Sequence, residues 1–169
     1  MKSTRKLGQG YKVYYAGEET ERNGVGIIRH PDLQENDTEV QCLSDRLMGL
    51  KFVNDKRVWH IISAYVPRQG CSEEENEEFK EKLEEYIERV PRSELLVLSG
   101  DMNAPVGESS DGFEGVHGGR GFGSRNERLL ELAETMNLVV LSTQFEKRRS
   151  HLVAYKSGQN ETQIDLCFG

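Results

Sequence analysis

The chain has 169 residues, a length that suits one domain better than two. It is polar, with 36% hydrophobic residues and a mean hydropathy of −0.67, yet it holds enough Val, Ile, Leu and Phe for a core, and its mixed charges argue against global disorder. The net charge of −7 argues against the basic footprint usual in nucleic-acid binders, and no apolar run approaches the ~20 residues that span a bilayer, so no membrane association is expected.

Tyr11 to Ala16 (YKVYYA) and Gly24 to Ile28 (GVGII) are aromatic, β-branched or apolar, and a polar stretch ending in Asn23-Gly24 separates them. The pattern predicts a hairpin with a long charged connection. Arg46 to Val53 and Val58 to Val66 flank Asn54-Asp55-Lys56-Arg57 and predict a second hairpin, which Pro67 ends because it cannot donate to a ladder.

Ser72 followed by Glu75 is a capping box, and Phe79, Leu83, Ile87 and Val90 recur at helical spacing with Tyr86 beside them. A helix over 72–90 is expected to bury Phe79, Leu83 and Ile87, with Pro91 as its stop. Glu73 to Glu85 carries eight glutamates against two lysines. Much of the negative charge therefore belongs to one solvated helix face and leaves a DNA-binding cleft elsewhere open.

Glu94 to Ser99 (ELLVLS) has the short apolar run of a buried strand. Residues 107–123 are glycine-rich and match neither phosphate-loop template, so a flexible loop is expected there. Ser124 with Glu127 predicts a second capped helix with Leu129, Leu130, Ala133 and Met136 on its apolar face. Leu138 to Phe145, His151 to Tyr155 and Thr162 to Phe168 read as three further strands. Strands in hairpins with two helices packed outside favour an α+β layered sandwich over a doubly wound sheet.

Polar groups stand at the ends of three apolar stems: Tyr65 before Val66-Pro67, Asp101 and Asn103 in Gly100-Asp101-Met102-Asn103, and Asp165 between Ile164 and Leu166. A carboxylate and an amide two residues apart past a strand can hold a water or a metal and donate to a phosphate. An Asx turn is the plainer reading of the same four residues. Asp165, inside a strand, needs a partner or an open edge, because an unpaired buried carboxylate costs several kcal/mol. Arg120, Arg125 and Asn126 beside the glycine-rich loop, and Arg148 and Arg149 in a basic turn, are candidate DNA phosphate contacts. Histidines 30, 60, 117 and 151 show no HxH or HExxH pairing. Cys42, Cys71 and Cys167 are odd in number and widely spaced, which favours a reducing compartment, nucleus or cytoplasm. Met1 to Lys6 leads into Gly8-Gln9-Gly10 rather than an apolar stretch, so no secretory signal is expected.

Taken in order, RNGVGII, SDRLMGLKF, IISAYVP, an acidic helix, LLVLSGDMNAPVG, RNERLLELAETMNLVVLSTQF and HLVAYKSGQNETQIDL closely resemble the endonuclease domains of LINE-type retrotransposons. Their parent superfamily is endonuclease/exonuclease/phosphatase. The resemblance implies a four-layered α/β sandwich of two mixed sheets face to face with helices outside, over 1–169 as one domain. It also implies Mg²⁺-dependent phosphodiester hydrolysis, with DNA as the partner. Tyr65 would be the cleft phenol, Asp101 would hold the attacking water or the metal, Asn103 would bind the scissile phosphate, and Asp165 would orient a catalytic histidine.

Family members carry a metal-binding glutamate in a Gln-Glu-like motif upstream and a Ser-Asp-His motif downstream. Neither is found in this chain, which begins at MKSTRKLGQGYK and stops four residues past Asp165. A domain truncated at both ends, lacking its first and last strands and weak or inactive, is therefore expected. The alternative is a non-catalytic interaction module on the same scaffold. Glu108, Asp111 and His117 in the glycine-rich loop are the nearest substitutes for the missing groups.

Overall fold

The computed structural model describes residues 2–17, 23–33 and 39–169. The centre of the long hairpin connection lies outside the described residues. The chain forms two compact units, Met1–Leu98 and Ser99–Gly169.

In the first unit, strands β1 (Lys2–Lys6), β2 (Lys12–Ala16) and β3 (Val25–Arg29) form an antiparallel sheet. The β2–β3 pair is the hairpin expected from the sequence. Strand β1 is not foreseen, because its residues KSTRK hold no apolar alternation. A second sheet contains β4 (Glu39–Cys42), β5 (Leu47–Asn54), β6 (Arg57–Tyr65) and β7 (Leu95–Asp101), in the order β4-β5-β6-β7. Leu47 opposite Ala64 and Phe52 opposite Trp59 set the β5–β6 register.

Alternation along β5 assigns its two faces. Met48, Leu50 and Phe52 join Tyr14, Ala16 and Val25 in one buried cluster, so the two sheets pack face to face. The opposite face carries helix α1 (Glu73–Glu88). Its Tyr86 ring lies over Gly49, where a Cβ would come within 2.5 Å of the ring. The capping box at Ser72 and Glu75 forms as the sequence predicts. Phe79, Leu83 and Tyr86 are the buried residues of α1, whereas Ile87 is only half-buried: Tyr86, not Ile87, occupies the space that Gly49 leaves open.

The second unit holds helix α2 (Glu127–Thr135), the short hairpin β8 (Tyr155–Ser157) and β9 (Asn160–Thr162), and β10 (Asp165–Phe168). The cap of α2 is Asn126, whose Oδ1 accepts from the Leu129 amide at 3.2 Å, so the expected Ser124 box does not form. The expected strand over 138–145 survives only at its start, where Val139 and Gly169 exchange both backbone hydrogen bonds. Beyond it, Leu141–Thr143 is a 3-10 turn, because buried hydroxyls replace the ladder. Ser142 Oγ accepts from the Cys167 amide at 3.0 Å, and Thr143 Oγ1 donates to the Val140 carbonyl at 2.8 Å. The expected strand over 151–155 is likewise a 3-10 turn, Arg149–His151, and pairing starts only at Tyr155. Thr162 to Phe168 is split between β9 and β10.

The glycine-rich segment is closely packed rather than loose. A Cβ on Gly118 would stand 2.4 Å from the Thr143 carbonyl oxygen. One on Gly121 would stand 1.9 Å from that of Gly107.

Candidate active site

Asp101 closes β7, and its Oδ1 accepts from the Asn103 amide at 2.8 Å. Asn103 sits at φ 50, a left-handed conformation that asparagine tolerates better than most residues. The Asx turn and the chemical reading of this tetrapeptide are therefore compatible: the turn engages one oxygen of Asp101. Among the described residues no donor is bonded to the other. The intervening Met102 is buried and donates its amide to the Ile164 carbonyl at 2.8 Å. The residue after Ile164 is Asp165, which opens β10.

Asp101 and Asp165 are thereby brought together. Asp165 is exposed, which avoids the cost that an unpaired carboxylate buried inside a strand would carry. Partial desolvation raises its carboxyl pKa, and the negative charge of Asp101 raises it further. Two residues before it, Gln163 is buried, and its Oε1 has no hydrogen-bond partner. Among the described residues no group of three or more His, Cys, Asp or Glu side chains is gathered to hold a metal. The donors of the pair are oxygens from two carboxylates. Such a set fits Mg²⁺, which takes one or two carboxylates and completes its shell with water and substrate phosphate.

His117 does not substitute for a missing catalytic group. Its ring is 1% exposed, and both nitrogens are engaged. Nδ1 accepts from the Gly119 amide at 3.0 Å, so Nε2 carries the proton and faces the Gly107 carbonyl at 3.2 Å. Burial holds its pKa below the ordinary value, and the Arg125 charge adds to that. His117 pins the loop from inside, a role its spacing from other histidines could not disclose. Glu108 and Asp111 are exposed.

The candidate phosphate contacts are mostly occupied. Arg125 lies 4.9 Å from the Phe113 ring centroid and donates to the Asp111 carbonyl at 2.7 Å. Arg120 donates to the Gln144 carbonyl at 3.2 Å, and Asn126 caps α2. Arg149 is paired with Glu161 at 3.0 Å and lies over Phe122. Arg148 is exposed, and among the described residues its side chain has no such partner.

Tyr65 ends β6 in the first unit and is described within it. Its ring lies under two guanidiniums, with Arg46 Cζ at 5.1 Å and Arg68 Cζ at 5.7 Å from the centroid. Neither arginine was singled out from the sequence. The β5–β6 register, which places position 46 opposite 65, is the signal that could have found the first.

A family model described as endonuclease-reverse transcriptase matches residues 59–169, more than half of the chain, and the chain belongs to that family. Craniofacial development protein 2 of Bos taurus is 30% identical over 159 residues, covering 90% of this chain and 26% of that protein. The same protein of Tragulus javanicus is also 30% identical, with 27% of its length covered. The chain thus spans about a quarter of the curated relatives it matches.

Among solved structures, the endonuclease domain of TRAS1, a telomere-specific non-LTR retrotransposon, superposes with TM-score 0.61 at 14% identity, covering 94% of this chain and 64% of that one. An endonuclease/exonuclease/phosphatase family protein from Leptotrichia buccalis gives 0.60 at 14% identity, covering 96% and 61%. D. rerio TDP2 complexed with single strand DNA product gives 0.56 at 11% identity, covering 94% and 61%. The fold is the α+β sandwich of endonuclease/exonuclease/phosphatase proteins. Among the described residues no helix is long and apolar enough to cross a membrane.

Proposed function

We propose that the chain derives from a retrotransposon endonuclease and hydrolyses DNA phosphodiesters slowly, with Mg²⁺, at Asp101, Asn103 and Asp165. The observation that supports this reading is the pairing of Asp101 with Asp165, which the Met102–Ile164 hydrogen bond sets. Mg²⁺, which Asp101 would hold together with water and substrate phosphate, would neutralise charge on the phosphate. Asp101, steadied by the Asn103 amide, orients a water and takes its proton. The water oxygen bonds to phosphorus, and the bond from phosphorus to the leaving oxygen breaks. Asn103 donates to a non-bridging oxygen from its side chain. Asp165, beside Asp101, passes a proton from solvent to the leaving oxygen.

Slowness follows from the surroundings of Asp165, to which, among the described residues, no histidine is hydrogen-bonded. A missing general acid–base group typically costs ~10²–10⁴-fold in rate. The same observation favours a second reading, in which the site binds DNA without cutting it.

A plasmid-nicking assay on the purified 169-residue chain tests the proposal, with Asp101→Ala as the contamination control. Slow Mg²⁺-dependent nicking that disappears in Asp101→Ala is the expected result. DNA binding with no nicking above the Asp101→Ala background would leave the second reading.

A further inference from the structure

We propose that Arg46 and Arg68, stacked on Tyr65, form a clamp for a backbone phosphate of DNA. The choice of DNA rests on the proposed function; the clamp itself rests on four observations in the first unit.

The first is that both guanidiniums lie over one ring, at 5.1 and 5.7 Å. A guanidinium stacked on an aromatic face keeps its in-plane N–H donors, and their fork matches two phosphate oxygens.

The second is that neither is neutralised. The chain has a net charge of −7, and most cations of the first unit that lie near a carboxylate are paired with it, as in Lys51–Glu94, Lys80–Glu84 and Lys82–Glu78. Among the described residues Arg46 and Arg68 enter no ion pair. Arg46 borders a cleft of about 100 Å³ that Asp45, Glu75 and Glu78 also line, yet each of those carboxylates is already engaged. Asp45 accepts from the Asn23 amide group at 2.6 Å, Glu75 from the Ser72 amide at 3.1 Å, and Glu78 from Lys82 at 2.5 Å.

The third is that Arg46 Nη1 is buried without an acceptor. An unsatisfied donor on a charged group is costly, and among the described residues no protein oxygen is close enough to take this one up.

The fourth is that the main chain holds both arms. The Arg46 amide donates to Ser44 Oγ at 3.1 Å, and the Arg46 carbonyl accepts from the Tyr65 amide at 2.9 Å. Arg68 follows the buried Pro67, and its carbonyl accepts from the Cys71 amide at 3.0 Å, which closes the turn.

The test is fluorescence anisotropy with a fluorescein-labelled DNA duplex, in EDTA so that cleavage cannot contribute, across a salt series. Arg68→Gln and Arg46→Gln are each expected to weaken binding about tenfold at low salt. Each should also lower the slope of log affinity against log salt by about one phosphate's worth, ~0.9. Arg92→Gln removes the same charge from an exposed position outside the stack and should change neither appreciably. Tyr65→Ala should lose affinity with the platform. If Arg46→Gln fails to fold by circular dichroism, the exposed Arg68 decides alone. Arg68→Gln behaving like Arg92→Gln overturns the clamp, as does a parent chain that does not bind the duplex.

The two proposals fail separately. Arginine-dependent binding without plasmid nicking keeps the clamp and removes hydrolysis. Nicking by a chain whose arginine variants bind normally does the reverse.

Discussion

His60 Nε2 lies 2.5 Å from Glu94 Oε2, and the other ring nitrogen lies 3.2 Å from the Tyr86 hydroxyl. An ionised Glu94 can only accept, so Nε2 carries the proton and Nδ1 accepts from the phenol. Burial pushes the Tyr86 pKa up to about 12, with the Glu39 charge adding to the effect, so the phenol keeps its proton. A strand, a helix and the entry to β7 are thereby joined by one proton-ordered chain.

The hydrogen bond from His60 holds the Glu94 pKa below its ordinary 4.5, and Lys51 at 3.2 Å helps. The unfolded chain therefore binds more protons than the native one as pH falls past that value. The stability this pair contributes is present above about pH 4.5 and is lost as pH falls through the lower native value. Urea midpoints measured from neutral to acidic pH should fall more steeply for the parent than for Glu94→Gln. Parallel curves would show that the pair contributes nothing to acid stability.

Gly121→Ala should be among the most damaging alanine substitutions in the chain. Its Cβ would stand 1.9 Å from the Gly107 carbonyl oxygen and 3.0 Å from His117 Nε2, in a loop with little room to move. A cost of about 3 kcal/mol or more is expected. Gly115→Ala, with nothing within 4 Å of its Cβ, should change stability by less than about 0.5 kcal/mol. Equal melting temperatures for the two variants would contradict the packing described for this loop.

Asn103→Gly separates the backbone role of Asn103 from its side-chain role. Glycine accepts the φ of 50 and keeps the amide that holds Asp101, so the turn should persist. The side-chain donor is lost, and nicking should drop by about 10²-fold or more if that donor serves the phosphate. Asn103→Ala should lose a further ~1 kcal/mol of stability to left-handed strain. Undiminished nicking by a folded Asn103→Gly chain would remove the residue from the catalytic set.

Helix α1 was legible in the sequence because Ser72, Glu75, Phe79 and Leu83 are local signals: a cap and a period lie within twelve residues. Asp101 and Asn103 were legible for a similar reason, a polar pair at the end of an apolar run. The strand expected over 138–145 failed because Ser142 and Thr143 satisfy main-chain groups with their side chains, and alternation does not encode that choice. The structural role of His117 is not legible in the sequence, because only the folded loop brings the Gly107 carbonyl to its ring. Arg46 and Arg68 meet on Tyr65 through strand register and a turn after proline, neither of which hydropathy records.

The bond between Met102 and Ile164 runs from main chain to main chain. Ordinary replacements at either position leave its donor and acceptor in place, while proline at 102 deletes the donor outright. The Met102 amide proton is thus a built-in gauge of whether the two acids stay together. While Ile164 stays bonded to Met102, that proton is shielded and exchanges slowly with solvent. Any excursion that separates Asp101 from Asp165 must first expose it, so its exchange rate counts those openings directly, without substrate, metal or turnover.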